Sequence, residues 1–255
     1  MLFDVRDLRM VYRSGGKSVE AVKGVSFALG KGETLGIVGE SGSGKSTIAK
    51  ALMLLEPIAG GKVLYRGSDI SAFGARETAA YRHEVQMVFQ DATGSLNPRM
   101  TIRQMLAEAL RHSASVASVE RLLDLTGLPK TVLDQYPREM SGGQCQRASF
   151  ARALAMSPKV LVADEPVSAL DVSVQARILN LLRELRSRLD LAVILIAHDL
   201  AVVRNVCERV CIMKNGLFVD SGTADAVFAH PRSEYTQTLL AAVPDVRRAL
   251  AARRP

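Results

Sequence analysis

One contiguous stretch constrains this chain more than any other: Gly39, Glu40, Ser41, Gly42, Ser43, Gly44, Lys45, Ser46 and Thr47, which together satisfy GxxxxGK[ST]. The stretch sits between a short apolar run, Thr34–Val38, that reads as a buried strand, and a helical pattern over residues 46–55. A strand feeding a glycine-rich loop that opens a helix is the context in which this spacing forms a phosphate-binding loop. The glycines let the backbone wrap a polyphosphate with its N–H groups turned inward, and the helix N-terminus adds partial positive charge. Lys45 is then expected to reach the β and γ phosphates, and the Ser46 hydroxyl to ligate Mg²⁺.

The rest of the chain supplies the frame such a loop needs. Runs at 159–163 and 193–196 read as buried strands, and an amphipathic helix between them turns Val174, Ile178, Leu181 and Leu185 to one side. Strands alternating with helices predict an α/β fold around a mostly parallel sheet. Residues 2–11 and 18–29 carry period-2 apolar patterns that predict antiparallel strands, while Pro57 and the Gly60-Gly61 pair read as closing the first helix. Asn215-Gly216 between 210–214 and 217–220 predicts a two-residue hairpin turn. From about residue 91 to 157 the texture changes, with helical periodicity at 102–110 and 118–125, as expected of an inserted helical subdomain.

At 255 residues, with 48% hydrophobic and 23% charged side chains, the chain is long and apolar enough for a substantial core. No run approaches the ~18 apolar residues of a membrane span, and Asp4 and Asp7 interrupt any signal-like segment, so the expectation is a cytosolic chain. Cys145, Cys207 and Cys211 are too irregularly spaced for a disulfide framework or zinc site and are expected to be buried as small hydrophobes. The net charge of +7 fits an anionic partner without choosing among nucleotide, nucleic acid and lipid. Residues 245–255, rich in arginine, are expected to form a frayed or late-docking basic tail.

A second site element is the strand at residues 160–164, which ends in Asp164-Glu165. At the C-terminal edge of a parallel sheet this pair faces the ligand crevice. Asp164 is expected to hold Mg²⁺, directly or through water, and Glu165 to polarise an attacking water as general base.

Ser141-Gly142-Gly143-Gln144 ahead of a helical stretch, Ser168-Ala-Leu-Asp171 after the acidic pair, and His198 at the end of the next strand complete a set that resembles the ATP-binding subunits of ABC transporters. The resemblance spans nearly the whole chain. It implies a P-loop NTPase (RecA-like) core with an antiparallel β subdomain and an inserted α-helical subdomain, the ABC ATPase fold, over residues 1–244. It also implies that Ser141, Gly142, Gly143 and Gln144 of one subunit face ATP held by another, so that two subunits sandwich two nucleotides. By the same resemblance Gln90 reaches Mg²⁺ and the attacking water, His198 touches the γ-phosphate and orients water or Glu165, Asp171 organises the dimer junction, and Tyr12 stacks on adenine. An N-cap remains the alternative for Asp171, and a plain strand tyrosine for Tyr12.

Phe89-Gln90-Asp91 with Ser95-Leu-Asn-Pro-Arg-Met100, Glu165-Pro-Val-Ser-Ala-Leu-Asp171-Val-Ser-Val-Gln175 and the late His230-Pro-Arg-Ser-Glu-Tyr-Thr-Gln-Thr-Leu-Leu240 resemble the peptide and nickel branch of ABC importers. That branch implies a second, different ATP-binding subunit, although a homodimer stays open. It further implies two integral membrane permease subunits, a substrate-binding protein acting through the complex, peripheral attachment to the cytoplasmic face of a bacterial inner membrane, and no nucleic acid partner. Met140, Cys145 and Ser149-Phe150 depart from the common pattern around the signature helix, and no cysteine-bearing extension for an iron-sulfur cluster is expected. The alternative from another class is a soluble ABC-type ATPase acting on ribosomes, nucleic acid or cluster assembly.

Overall fold

The computed structural model describes residues 1–15, 17–113, 118–168 and 170–242. The expected basic tail at 245–255 lies outside the described residues. Strands β1 (Phe3–Ser14) and β2 (Lys17–Leu29) pair antiparallel, as their alternation predicts. The buried β3 (Thr34–Val38) leads into α1 (Lys45–Leu52). Beyond it come β4 (Gly60–Tyr65), the two-residue β5 (Ser68–Asp69), α2 (Ala75–Glu84) and β6 (Val85–Val88).

Helices α3 (Ala92–Ser95), α4 (Ile102–Arg111), α5 (Val119–Thr126) and α6 (Gly142–Leu154) follow. Thr101 and Ser118 cap α4 and α5 by accepting N–H groups of Gln104 and Arg121. The chain then runs through β7 (Val160–Asp164), α7 (Val172–Leu189), β8 (Ala192–Ala197) and α8 (Leu200–Val206). It ends in β9 (Arg209–Lys214), β10 (Leu217–Thr223), α9 (Ala224–Ala229) and α10 (Glu234–Ala241).

Two sheets result, ordered β2-β1-β4-β5 and β10-β9-β3-β8-β7-β6. All neighbours in the second sheet are parallel except the β9–β10 hairpin, whose Asn215-Gly216 turn has φ of 50° and 86°. Those paired positive values are what the sequence predicts for a tight hairpin.

Strand alternation explains the layering. Leu35 and Ile37 of β3, Val160 and Val162 of β7, and Ile194 and Ile196 of β8 share one core with Ile48 and Leu52 of α1 and the inner face of the antiparallel sheet. The intervening Leu161, Ala163, Val193 and Leu195 join the opposite core with α6, α7 and α8. Both faces of the parallel sheet are therefore covered, which is why its strands read as continuous apolar runs. Ile178, Leu181 and Leu185 are buried on α7 as predicted, with Val174 partly buried at the helix start. All three cysteines are buried and free, also as expected. Among the described residues no helix is long and apolar enough to cross a membrane.

Two differences from the sequence reading have clear causes. The first helix stops at Leu52, because Leu54 takes a φ of 53°, a left-handed value incompatible with a continuing right-handed helix. Gly60-Gly61 reads as a helix stop but opens β4, whose Gly60 pairs with Arg9 of β1.

A candidate nucleotide site built on the first parallel strand

Because β3 is buried along its whole length, Gly39 leaves the sheet at a fixed point. A side chain at Gly39 would run into the Met213 carbonyl, and one at Gly44 into that of Ala21, so β9 and β2 press directly on the loop. Gly44 sits at φ 109°, which only glycine adopts readily, and begins α1 without a side-chain cap or an acidic residue in the first turn. The first N–H groups of α1 are thereby left for an anion.

Lys45, 3% exposed, donates to the Glu40 carbonyl at 2.7 Å and lies 4.0 Å from Glu165 Oε1. Burial pulls its pKa below the ordinary lysine value, while Glu165, Asp164 and Glu40 oppose that shift. The Ser46 hydroxyl donates to Asp164 Oδ1 at 3.0 Å. Hard oxygens meeting at this point are the donor set a divalent magnesium ion accepts, so the residues present fit the cation. Burial pushes the Asp164 carboxyl up and neighbouring Glu165 adds to the rise, with the Ser46 hydrogen bond working against both.

Glu165 follows at φ 43°, a left-handed value costly for a side-chain-bearing residue, and its N–H is held by the Ile196 carbonyl at 2.9 Å. Its Oε2 accepts from Gln90 Nε2 at 3.0 Å and lies 3.6 Å from His198 Nδ1. A cavity of about 290 Å³ opens here. Ser41, Gly42, Gly44, Lys45, Ser46 and Thr47 form one wall, and Gln90, Glu165 and His198 the other.

The remaining expected site residues stand elsewhere. Ser141 caps α6, its hydroxyl accepting from Gln144 N while Gln144 Oε1 accepts from Ser141 N at 2.9 Å. Gly142 borders a separate cavity of about 400 Å³ that Gln90 also lines. Gly143 is packed so closely on α7 that a Cβ there would lie 2.7 Å from Val174 Cγ1. Asp171 caps α7 through Val174 N at 3.0 Å, and that bond with the Ser173 hydroxyl holds its carboxyl below the usual range. Tyr12 lies half-buried in β1 opposite Val19 and is not among the residues that line the cavity. Ala21 lines the first cavity without having been marked by the sequence, since one small residue in a strand carries no signal.

The sequence matches the ABC transporter family over residues 22–168, a span that begins within β2 and runs through the phosphate loop to the turn after Asp164-Glu165. The chain belongs to the ABC transporter family. Along 258 aligned residues this ABC chain is 45% identical to the oligopeptide transport ATP-binding protein OppF of Lactococcus lactis subsp. lactis (strain IL1403), covering 96% of this chain and 81% of that protein. It is 44% identical to OppF of Escherichia coli (strain K12), covering 95% of this chain and 75% of that one.

Among solved structures, the dimeric post-hydrolysis state of the ATP-binding cassette MJ0796, bound to ADP and Pi, matches with a TM-score of 0.78 and 28% identity, over 88% of this chain and 99% of that one. CbiO1 from Clostridium perfringens, part of an ABC transporter complex, matches with a TM-score of 0.79 and 26% identity over 98% of each chain. The ABC ATPase fold expected from the motifs is thus the fold observed, and the chain is an ATP-binding, ATP-hydrolysing cassette.

The buried acid of this ABC cassette has a measurable consequence. A carboxyl whose folded pKa exceeds its unfolded value weakens the fold once ionised, so at neutral pH Asp164 costs stability that returns as pH falls. Asp164→Asn keeps an acceptor for Ser46 and removes the charge. Thermal melts of the nucleotide-free chain should rise by about 2–4 °C, the shift given by ~1 kcal/mol at this size. A lower melting temperature would show that what the charge gains from Ser46, Lys45 and Lys50 outweighs the burial cost.

Proposed function

We propose that the chain is the ATPase subunit of an oligopeptide importer, with Lys45, Ser46, Asp164, Gln90, Glu165 and His198 as its nucleotide machinery. The observation that carries the chemistry is the convergence of these side chains on one cavity. The likeness to OppF proteins over most of the chain carries the cargo. It also disfavours the soluble, non-transport alternative.

ATP enters with its phosphates against the loop N–H groups that the fold leaves unused and the start of α1, while the N–H groups of Glu40 and Ser43 stay bonded to Tyr235 and to the Glu40 carbonyl. Lys45 turns from the Glu40 carbonyl toward the β and γ phosphates. Ser46, Asp164 and Gln90 would hold Mg²⁺, which would neutralise phosphate charge when bound. Glu165 takes a proton from the water that attacks the γ phosphorus, as the bond to the bridging oxygen breaks and ADP leaves. Gln90 and His198 hold Glu165 and that water in place, so most of the rate comes from positioning and electrostatics.

The signature residues Ser141, Gly142, Gly143 and Gln144 stand at the start of α6, apart from the chain's own phosphate loop. In the proposed assembly they face ATP on a second cassette, with Asp171 at the junction between the two. That partner is a different ATP-binding subunit. Two integral membrane permeases and a substrate-binding protein complete the complex, with this chain peripheral on the cytoplasmic face of the bacterial inner membrane. Residues 1–244 form the cassette, with the helices of about 91–157 as its inserted subdomain and 245–255 as a basic tail.

Tyr12 supplies the adenine platform in this reading. Tyr12→Ala should weaken ATP binding at least about fivefold, the low end for loss of a base stack. An unchanged titration would make it an ordinary strand residue. The cargo is tested by uptake in cells lacking the chain: labelled oligopeptide should no longer enter and labelled nickel should enter normally. Lost nickel uptake with intact peptide uptake would overturn the peptide assignment.

A further inference from the structure

The late motif at residues 230–240 has no part in the chemistry above, yet it reaches the phosphate loop. Buried Asp220 on β10 accepts backbone N–H groups of Arg232 at 2.8 Å and Ser233 at 3.4 Å, fixing the entry to α10. Ser233 then caps the helix at Thr236 N, and Thr236 is fully buried. One residue earlier, Tyr235 lies under Lys214, whose Nζ is 4.5 Å from the ring centroid. The Tyr235 hydroxyl accepts the N–H of Glu40 at 3.1 Å.

Glu40 is the residue on which the loop's internal bonds converge. Its carbonyl accepts both Lys45 Nζ at 2.7 Å and Ser43 N at 3.2 Å. The same loop is held a second time from the C-terminal part of the chain, where Gly216 N in the β9–β10 turn donates to the Ser43 carbonyl at 2.9 Å. Glu40 itself is exposed, so without the phenol its N–H would be left to water and its peptide plane would be free to turn. Partial burial pushes the Tyr235 phenol's pKa up, which keeps the group neutral and its oxygen available.

We propose that Tyr235 is a positioning residue for nucleotide: its hydroxyl fixes the Glu40 peptide, and through the Ser43 bond to its carbonyl the loop, in the shape that receives the phosphates. The α10 segment thereby sets ATP affinity from 195 residues away in sequence. The inference rests on the reading of residues 39–47 as the ATP site.

Tyr235→Phe keeps the ring and its lysine contact and deletes one hydroxyl. In the full-length chain, titration with a fluorescent ATP analogue should show about three- to tenfold weaker binding, the span expected for one hydrogen bond. Amide exchange by NMR should quicken at Glu40 and stay slow at Arg232, which Asp220 holds. Unchanged affinity and unchanged Glu40 exchange would overturn the proposal. Faster exchange at both amides with a lower melting temperature would also overturn it, since the hydroxyl would then only support the fold. Lys45→Ala in the same assay separates the two levels. If it weakens binding and Tyr235→Phe does not, the positioning role alone fails; if neither does, the loop is not the ATP site and both readings fall.

Discussion

Glu165→Gln should leave ATP bound and stop its hydrolysis. The carboxylate lines the proposed site, with Oε2 accepting from Gln90 at 3.0 Å and lying 3.6 Å from His198 Nδ1, and a left-handed backbone holds it there at a conformational cost. Strain of this kind persists where the surrounding structure over-determines it, here by the Glu165 N–H bond to Ile196. Glutamine preserves the shape and an acceptor oxygen for Gln90 but has no basicity. Turnover in the assembled transporter should fall by at least about 10²-fold, the usual contribution of a positioned general base. Binding should be equal or tighter, because the substitution removes a negative charge 4.0 Å from Lys45 and so near the phosphates. Near-normal hydrolysis, with the partner cassette's own base disabled, would remove Glu165 from the mechanism.

Lys45→Ala should have the opposite signature, with binding lost first. The ammonium is 3% exposed and donates to a loop carbonyl, so a cation is kept desolvated at the mouth of the proposed anion site. Such an arrangement costs the nucleotide-free chain and is recovered when phosphate oxygens arrive. A charge-assisted bond contributes ~1.5–3 kcal/mol, so affinity should drop by roughly 10- to 150-fold. The fold should survive, since Ser43 N still satisfies the Glu40 carbonyl. Thermal shift reads both effects at once: saturating ATP raises the melting temperature of the wild type by mass action and should leave the variant nearly unmoved. An equal ATP shift in both proteins would contradict the phosphate role.

The parts of the molecule that were legible in sequence are those whose physics is local. The phosphate loop is contiguous, and its flanking strand and helix are short-range patterns. The runs at 160–164 and 192–197 announce themselves because both faces of the parallel sheet are covered, leaving no polar position in either strand before Asp164 at the sheet's edge. The segment between residues 61 and 90 was silent for the reverse reason. Helix α2 buries only Tyr81 and so shows no apolar stripe, β6 is four residues long, and β4 begins with two glycines.

The strand end at Asp164-Glu165 could be placed by the geometry of a parallel sheet, but Gln90, His198 and the signature residues were reachable only through resemblance to a family. Nothing in the spacing of Gln90 and Glu165, 75 residues apart, says that their side chains meet. Asp171 illustrates a residue with two compatible readings: its capping of α7 is visible within one chain, whereas a junction role requires a second. The contact between Tyr235 and Glu40 left no trace at all on the loop side, because a hydrogen bond to a backbone N–H makes no demand on the identity of the residue that carries it.

The central claim is that this cassette drives a membrane importer, and the most direct measurement is affinity capture of the tagged, full-length protein from gently solubilised native membranes. The account predicts stoichiometric recovery of two multispanning membrane proteins and a second ATP-binding subunit of different sequence. Recovery from the soluble fraction with ribosomes or nucleic acid, and without membrane proteins, would contradict it.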